Sequence, residues 1–313
     1  GRGKVVTFEN TPLSAIIVKK VDSSTGDPLQ GAWFRVRFLG GTSGTGGTVI
    51  AERQTSSNGT FILTGLKAGT YVVEEISAPD GYVLSENDIQ TVYLSGNEQD
   101  VITVTFGNEA KGSVLIKKID AITREPLSDV EFMVTESNGT VVGNRNGKYV
   151  TDSVGTILID GLDPNTTLVI KEVRAKSGYV LDDTPQTVKV RSHEVVTVEF
   201  RNQPKGNLII VKQDSVTKEP LEGVQFKIVY ADGSYVDAEG GTLSSTGLYW
   251  TDKEGKITIS GISGTIVATE VQTIPGYAID ENTRTQTVVV NSNDTQTLYF
   301  YNTPVGGLQI IKS

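Results

Sequence analysis

The sequence predicts an all-β protein made of tandem immunoglobulin-like (Ig-like) β-sandwich domains. Short runs of β-branched and aromatic residues alternate with polar residues, and segments rich in Gly, Pro, Asn or Asp separate these runs. No segment shows a sustained helical period. A unit of about 97 residues also recurs three times, which is the length of a whole domain and too long for a solenoid repeat.

The alternation pattern places the strands of the first copy. We expect strands at 14–21, 32–39, 48–55, 60–64, 70–76, 89–94 and 101–108. Turn segments such as STGDP, SSNGT and APDGY lie between them. About seven short strands in fewer than about 100 residues is the strand density of an Ig-like sandwich.

Three sequence phrases recur in the same order and define the repeats. In the first copy they read IIVKKVDSSTGDPLQGAWF, EISAPDGYVL and VTFGN. The predicted domains are repeat 1 (13–110), repeat 2 (111–205) and repeat 3 (206–305), and short linkers should place them end to end. Residues 1–12 carry the closing phrase and residues 306–313 the opening phrase. We therefore expect an excerpt from a longer array, with one strand of a further repeat at each end.

Composition excludes several classes of function. The chain of 313 residues has no cysteine, one histidine and a net charge of −9. Disulfides, thiolate zinc sites and cysteine nucleophiles are therefore excluded, and His193 alone cannot supply a triad or a metal site to each repeat. The acidic balance argues against nucleic acid, and no apolar run is long enough to cross a bilayer. We expect no metal, no cofactor and no membrane insertion, and an exposed loop position for His193.

Three polar positions recur in every copy. Each repeat has a lysine on its first strand, a glutamate seven residues before a tyrosine, and an asparagine two residues after a phenylalanine on its last strand. Strand alternation places Lys20 on the inward face with Ile16 and Val18, and Lys19 on the opposite face. The recurring residues are Lys20, Lys118 and Lys212, Glu75, Glu172 and Glu270, and Asn108, Asn202 and Asn302.

An inward lysine allows two interpretations. In the structural one, the lysine and the glutamate form a buried ion pair and the asparagine hydrogen-bonds beside it. In the functional one, the three residues form a covalent cross-link. Desolvation lowers the pKa of the lysine, so that its amine becomes nucleophilic, and raises the pKa of the glutamate. The protonated glutamate would then polarise the asparagine carbonyl and pass a proton to the leaving ammonia. Spacing alone leaves both interpretations open.

The recurring motifs resemble the B-type repeat of collagen-binding adhesins, which occurs in surface adhesins and pilins of Gram-positive bacteria. The shared elements are K-[VIQ]-D-x-x-T-x-x-P-L, E-x-x-x-x-x-G-Y and a terminal F-x-N, repeated over roughly residues 13–305. The resemblance implies stalk domains that are closed by single-turnover Lys–Asn isopeptide bonds, without a cofactor, and not a turnover enzyme. The implied bonds are Lys20–Asn108, Lys118–Asn202 and Lys212–Asn302, with Glu75, Glu172 and Glu270 as the catalytic acids.

The resemblance also implies a location and partners. We expect a stalk or fibre segment of an extracellular, cell-wall-attached adhesin or pilus-like protein, whose anchor is not in this segment. The alternative is an adhesin module that binds host matrix protein or glycan through variable loops such as 230–246, while Trp250 nearby is expected to pack inside. Asn10 and Lys312 would be unpaired halves of further cross-links, or would join chains head to tail.

Overall fold

The computed structural model describes residues 14–40, 46–85, 88–97, 100–236 and 244–306. Within these ranges all the regular secondary structure is β-strand, and no helix is long and apolar enough to cross a membrane. The prediction of tandem all-β sandwiches is confirmed. The chain packs into two compact units. The first contains repeat 1 with the segments Leu158–Leu168 and Val188–Thr197, and the second contains Ile116–Ile157, Val169–Thr187 and the chain from Val198 onward. The exact domain boundaries stay a prediction.

The described part of repeat 1 contains eight strands. The seven predicted strands each lie within two residues of an observed strand, and the short β6 is additional. The strands are β1 (Ser14–Asp22), β2 (Trp33–Gly40), β3 (Thr48–Gln54), β4 (Thr60–Leu66), β5 (Gly69–Ser77), β6 (Tyr82–Val83), β7 (Ile89–Leu94) and β8 (Val101–Ala110).

These strands form two four-stranded sheets, in the orders β4–β1–β8–β6 and β3–β2–β5–β7. The first and last strands, β1 and β8, are neighbours and run parallel. Their register places Lys20 beside Phe106 and Asp22 beside Asn108. Since residues two apart share a face, Lys20 and Asn108 are diagonal neighbours on one side of the sheet.

Repeat 2 has the same arrangement with a smaller first sheet. Its sheets have the orders β12–β9–β15 and β11–β10–β13–β14, and a single bridge between Tyr179 and Pro204 takes the place of β6. The strands are β9 (Gly112–Asp120), β10 (Glu131–Glu136), β11 (Lys148–Val150), β12 (Thr156–Leu162), β13 (Thr167–Arg174), β14 (Gln186–Lys189) and β15 (Val195–Asn202).

Repeat 3 again forms two four-stranded sheets, β19–β16–β23–β21 and β18–β17–β20–β22. The first and last strands are parallel, with Lys212 beside Phe300 and Asp214 beside Asn302. The strands are β16 (Gly206–Asp214), β17 (Gln225–Tyr230), β18 (Leu248–Trp250), β19 (Lys256–Ile262), β20 (Gly264–Gln272), β21 (Tyr277–Ala278), β22 (Thr285–Val290) and β23 (Thr295–Pro304).

The core of repeat 1 lies between its two sheets. Ile16 and Val18 on β1 are fully buried, and Lys20 continues the same inward row, whereas Lys19 is exposed. Each fully buried aliphatic side chain contributes about 1.5–3 kcal/mol relative to an exposed one. The row therefore fixes which face of β1 points inward and carries the lysine into the core with it. Each repeat also buries one edge-on phenylalanine pair next to its lysine: Phe34–Phe106, Phe132–Phe200 and Phe226–Phe300.

Candidate cross-linking site

In each repeat a lysine, a glutamate and an asparagine meet inside the sandwich. The lysine and the asparagine come from the neighbouring first and last strands of one sheet, and the glutamate reaches across from β5, β13 or β20 of the other sheet. At most 1% of the surface of each residue is exposed, so the amine, the carboxylate and the carboxamide are out of contact with bulk water. The structure thus brings together the three sets named from the sequence: Lys20, Glu75 and Asn108; Lys118, Glu172 and Asn202; Lys212, Glu270 and Asn302.

The carboxylate of repeat 1 lies between two nitrogen atoms. Lys20 Nζ is 3.0 Å from Glu75 Oε2, and Asn108 Nδ2 donates a hydrogen bond of 2.7 Å to Glu75 Oε1. One oxygen therefore faces the amine and the other faces the carboxamide nitrogen. A group placed in this way can exchange protons with both nitrogens.

Repeat 2 has the same bridge with a closer amine. Lys118 Nζ is 2.6 Å from Glu172 Oε2, and Asn202 Nδ2 donates to Glu172 Oε1 at 2.6 Å. Lys118 Nζ also contacts Oδ1 of Asn202, which lies 84 residues further along the chain. The amine therefore lies directly against the carbonyl group that a cross-linking reaction would use.

Repeat 3 adds a fourth group to the bridge. Lys212 Nζ is 2.9 Å from Glu270 Oε2, and Asn302 Nδ2 donates to Glu270 Oε1 at 2.5 Å. Asn302 Nδ2 donates a second hydrogen bond, of 2.7 Å, to the hydroxyl of Thr273. The corresponding residues of repeats 1 and 2, three positions after the glutamate, are Ala78 and Ala175.

The orientation of the asparagine side chain differs from the one expected. The proposed chemistry predicts a glutamate hydrogen bond to the asparagine carbonyl, but the glutamate here accepts a bond from Nδ2 in each repeat. A carboxylate oxygen can accept a hydrogen bond from an N–H group, whereas a bond to the asparagine carbonyl would need a proton on the carboxyl group. Among the described residues, the side-chain oxygens of Asn108 and Asn302 have no hydrogen-bond partner.

Burial changes the acidity of the three lysines. Desolvation is the largest effect and lowers the pKa of Lys20, Lys118 and Lys212, although hydrogen bonding and attraction to the glutamate oppose it. The rings of Phe132 and Phe200 are each centred 6.0 Å from Lys118 Nζ. Aromatic carbon therefore takes the place of the water that would surround an exposed amine. The amine in this setting releases its proton more readily than an exposed lysine.

A glycine fixes the backbone of each lysine. Gly59 has φ +75°, its carbonyl accepts the Lys20 N–H at 2.7 Å, and a Cβ there would lie 2.7 Å from the Lys20 carbonyl oxygen. Gly155 and Gly255 hold Lys118 and Lys212 in the same way. The sequence motif predicts only a turn here. The signal for this role is the recurrence of a glycine four residues after a threonine in all three copies.

That threonine is itself buried and joins two segments. Thr55 Oγ1 donates to the carbonyl of Leu29 at 2.8 Å and accepts the N–H of Ala32 at 3.1 Å. Thr151 and Thr251 make the same two bonds in repeats 2 and 3. The sequence reasoning missed these residues, because their partners are backbone groups more than twenty positions away.

An aspartate two residues after the lysine forms hydrogen bonds at the end of the first strand. Asp22 Oδ2 accepts the hydroxyl of Tyr82 at 2.9 Å, and Oδ1 accepts the N–H groups of Ser24 and Thr25. Burial alone would raise the pKa of Asp22, but these bonds and the contact with His193 outweigh it and lower that pKa to about 2. The Asp120–Tyr179 and Asp214–Tyr277 pairs repeat the arrangement.

The structure agrees with the sequence for the exposure of His193 and disagrees for Trp250. The side chain of His193 is 43% exposed in a turn, as expected, and its Nε2 also lies 2.5 Å from Asp22 Oδ2. Trp250 is 58% exposed, so the expectation that it packs inside is wrong. Asn10 and Lys312 lie outside the described residues, and within the described ranges no group of His, Asp and Glu side chains is arranged to hold a metal ion.

The proteins that resemble this chain include a streptococcal surface protein, a Bacillus anthracis protein and a streptococcal pilin. The trypsin-resistant surface T6 protein of Streptococcus pyogenes serotype M6 is 27% identical over 170 residues, which is 49% of this chain and 30% of that protein. The Bacillus anthracis TIE protein is 23% identical, with a TM-score of 0.39 over 93% of this chain and 51% of its own. The streptococcal ancillary pilin is 17% identical, with a TM-score of 0.41 over 94% of this chain and 99% of its own.

These similarities do not establish what this chain does, and this chain spans 30% of the T6 protein and about half of the TIE protein. A family described as SpaA, prealbumin-like fold domain, gives the stronger result. Its model matches residues 14–110, 112–204 and 206–304, which together make up most of the chain and confirm the resemblance predicted from the motifs. The chain therefore belongs to the family of SpaA prealbumin-like fold domains, which it contains in three consecutive copies.

Proposed function

We propose that this chain is a structural stalk or fibre segment of a Gram-positive cell-surface adhesin or pilus-like protein, and that an autocatalytic Lys–Asn isopeptide bond closes each repeat. One observation carries the chemical part. In all three repeats a buried carboxylate lies between the lysine nitrogen that would attack and the asparagine nitrogen that would leave.

The reaction begins with a proton transfer inside the lysine–glutamate pair. Lys118 Nζ gives a proton to Glu172 Oε2 across 2.6 Å, which converts two buried charges into a neutral pair. A neutral pair avoids the cost of burying charge, so the dry interior favours this transfer. The free electron pair of Nζ then faces the side-chain carbonyl of Asn202.

The amine next forms the new bond. Nζ attacks Cγ of Asn202, and the electrons of the C=O double bond move onto Oδ1. Glu172 gives to Nδ2 the proton that it took from the amine, and then accepts a second proton from Nζ. The Cγ–Nδ2 bond breaks, ammonia leaves and the carbonyl re-forms. The products are one secondary amide, one ammonia and a protonated glutamate, and no other reactant is consumed.

The position of the bond supports a load-bearing role. Lys20 and Asn108 join the first strand directly to the last, so tension that enters through β1 would cross the amide into β8 without extending the sandwich between them. The bond also closes a long loop in the unfolded chain, since Lys118 and Asn202 are 84 residues apart. By the chain-entropy estimate used for disulfides, a loop of this size contributes about 4.5 kcal/mol of stability.

The family and the relatives support the location. The T6 relative is named a trypsin-resistant surface protein, and covalent closure of each repeat would give this chain resistance to proteolysis as well. We place this chain outside the cell on the same grounds. Its partners are neighbouring repeats, and copies of the chain if segments of this kind assemble into a fibre.

Intact-mass spectrometry of the full chain tests the chemistry. We expect a mass lower than the sequence mass by three ammonia molecules, and peptide mapping should recover each Lys–Asn pair as a branched peptide. A mass equal to the sequence mass would contradict the cross-links. Single-molecule stretching tests the stalk role separately, because a cross-linked repeat should not extend under forces that unfold a variant without the bond.

The alternative function, binding of host matrix protein or glycan, is favoured by one observation. Tyr235 and Trp250 of repeat 3 are 54% and 58% exposed, and exposed aromatic side chains often anchor protein interfaces. Binding of the chain to immobilised matrix proteins and glycans tests this alternative. It predicts that Trp250→Ala abolishes binding, and that the same change at Trp33 of repeat 1 does not.

A further inference from the structure

We propose that Thr273 is an additional catalytic residue of repeat 3, whose hydroxyl oxygen stabilises the nitrogen of Asn302 as it leaves. This inference rests on the proposed cross-linking function and deepens it. Its starting point is the hydrogen bond of 2.7 Å from Asn302 Nδ2 to Thr273 Oγ1. Repeats 1 and 2 have Ala78 and Ala175 in this place, and a methyl group cannot make that bond.

The fold places the hydroxyl of Thr273 next to the carboxamide nitrogen of Asn302. Thr273 directly follows β20, the strand that carries Glu270, and is three residues beyond it. Asn302 comes from β23 in the other sheet and is fully buried, while Thr273 is half-buried at its edge. Both N–H bonds of the carboxamide are thus engaged, one by Glu270 Oε1 at 2.5 Å and the other by Thr273 Oγ1 at 2.7 Å.

The bond to Thr273 should strengthen as the reaction proceeds. In the starting amide, Nδ2 is planar and uncharged. After Lys212 attacks, Nδ2 becomes tetrahedral and takes a proton from Glu270, so positive charge develops on it before it departs as ammonia. Hydrogen bonds from a charged donor are roughly twice as strong as neutral ones. An interaction that is stronger in the transition state than in the starting state accelerates the step.

The amide nitrogen has one acceptor fewer in the other two repeats. In repeats 1 and 2 the glutamate alone holds the amide nitrogen, through the bonds of Asn108 to Glu75 and of Asn202 to Glu172. In repeat 2 the amine also contacts the asparagine oxygen, whereas the oxygens of Asn108 and Asn302 have no partner among the described residues. Thr273 therefore gives repeat 3 a second acceptor for the leaving nitrogen, which repeats 1 and 2 lack.

The test compares two substitutions of the same residue in the full chain. Thr273→Val keeps the shape and removes the hydroxyl, and Thr273→Ser keeps the hydroxyl. Chains are synthesised in a cell-free system at low temperature and quenched at intervals in acidic urea. The ammonia lost from each repeat is then measured on its proteolytic peptides. The cross-linking rates of repeats 1 and 2 in the same molecule serve as internal reference rates.

We expect Thr273→Val to slow cross-linking in repeat 3 by about tenfold relative to repeats 1 and 2, which corresponds to the loss of one good hydrogen bond in the transition state. Thr273→Ser should stay within about threefold of the unchanged chain, and Ala175→Thr should speed repeat 2. Equal rates for the valine variant and the unchanged chain would overturn the role of Thr273, as would equal slowing by valine and serine. Absence of ammonia loss from every repeat would instead contradict the proposed function.

Discussion

Lys118 Nζ contacts Asn202 Oδ1 although the two residues are 84 positions apart in the chain. The contact exists because β9 and β15 are neighbours in one sheet, and the glutamate that bridges the pair comes from the opposite sheet. No local segment contains the site, so it forms only when both sheets have packed together. Changes to single residues should therefore separate folding from cross-linking.

Replacing the lysine should remove one bond. Lys118→Ala is expected to retain one ammonia more than the unchanged chain. It should lose about 4.5 kcal/mol of stability from the open loop, and Glu172 would remain buried without a counter-charge. Lys117→Ala is the matched control, since Lys117 lies one residue earlier on the same strand and is exposed. Intact mass and thermal denaturation measure both effects, and the loss of three ammonia molecules from both variants, each relative to its own sequence mass, would contradict the assigned lysine.

Replacing the glutamate by its amide should block the chemistry while preserving shape. Glu172→Gln keeps the size of the side chain but cannot shuttle protons between Lys118 and Asn202. We expect no branched peptide from repeat 2. The stability should fall by about 4.5 kcal/mol because the loop stays open, and by about 3–5 kcal/mol more because the lysine loses its buried partner. Glu125→Gln, at an exposed position of the same repeat, should leave the peptide map unchanged. A branched Lys118–Asn202 peptide from the Glu172→Gln variant would show that the carboxylate is dispensable.

Gly155, whose carbonyl accepts the backbone N–H of Lys118, should not tolerate a side chain. Gly155 has φ +72°, and a Cβ there would lie 2.8 Å from the Lys118 carbonyl oxygen, whereas Gly161 has φ +66° and open space around it. Both alanine variants carry the cost of the left-handed backbone, about 1–2 kcal/mol. Gly155→Ala should lose roughly 1–3 kcal/mol more because of the steric contact, and should cross-link repeat 2 more slowly. Equal denaturation midpoints for the two variants would refute this positioning role.

Acid should weaken repeat 1 through Asp22. Its folded pKa of about 2 lies below the ordinary value of 3.8, so the carboxylate contributes stability above about pH 4 and loses that contribution as the pH falls toward 2. Asp22→Asn should lower the melting temperature at neutral pH and flatten the decline in that range. Asp27→Asn, at an exposed position in the same turn, should keep the original profile. Melting temperatures measured against pH decide between these outcomes.

The sequence alone predicts the strands and the members of the site. Alternation along β1 places Lys20 with Ile16 and Val18, and burial of the whole row in the structure follows from that pattern. Recurrence in three copies separates Glu75 and Asn108 from the many other polar residues of the chain. Alternation and recurrence together identify these residues, because the same buried cluster occurs in all three repeats.

Partnerships between distant backbone and side-chain groups could not be predicted. Thr55 bonds to Leu29 and Ala32, and His193 contacts an aspartate 171 residues earlier, so no local pattern encodes either pairing. The direction of the asparagine amide was also wrong. Whether the nitrogen or the oxygen of the amide faces the glutamate depends on whether the carboxyl group carries a proton. The identity of a residue does not reveal its protonation state.

Because the lysine, glutamate and asparagine of each repeat are completely buried, the mass of the protein should report whether each repeat has folded. If cross-linking requires the dry interior formed by both sheets, an unfolded or misfolded repeat keeps its ammonia and a folded repeat has lost it. The number of ammonia molecules missing from one molecule then counts the repeats that have folded at least once. Even after complete denaturation, the mass would preserve a permanent record of each repeat's folding history.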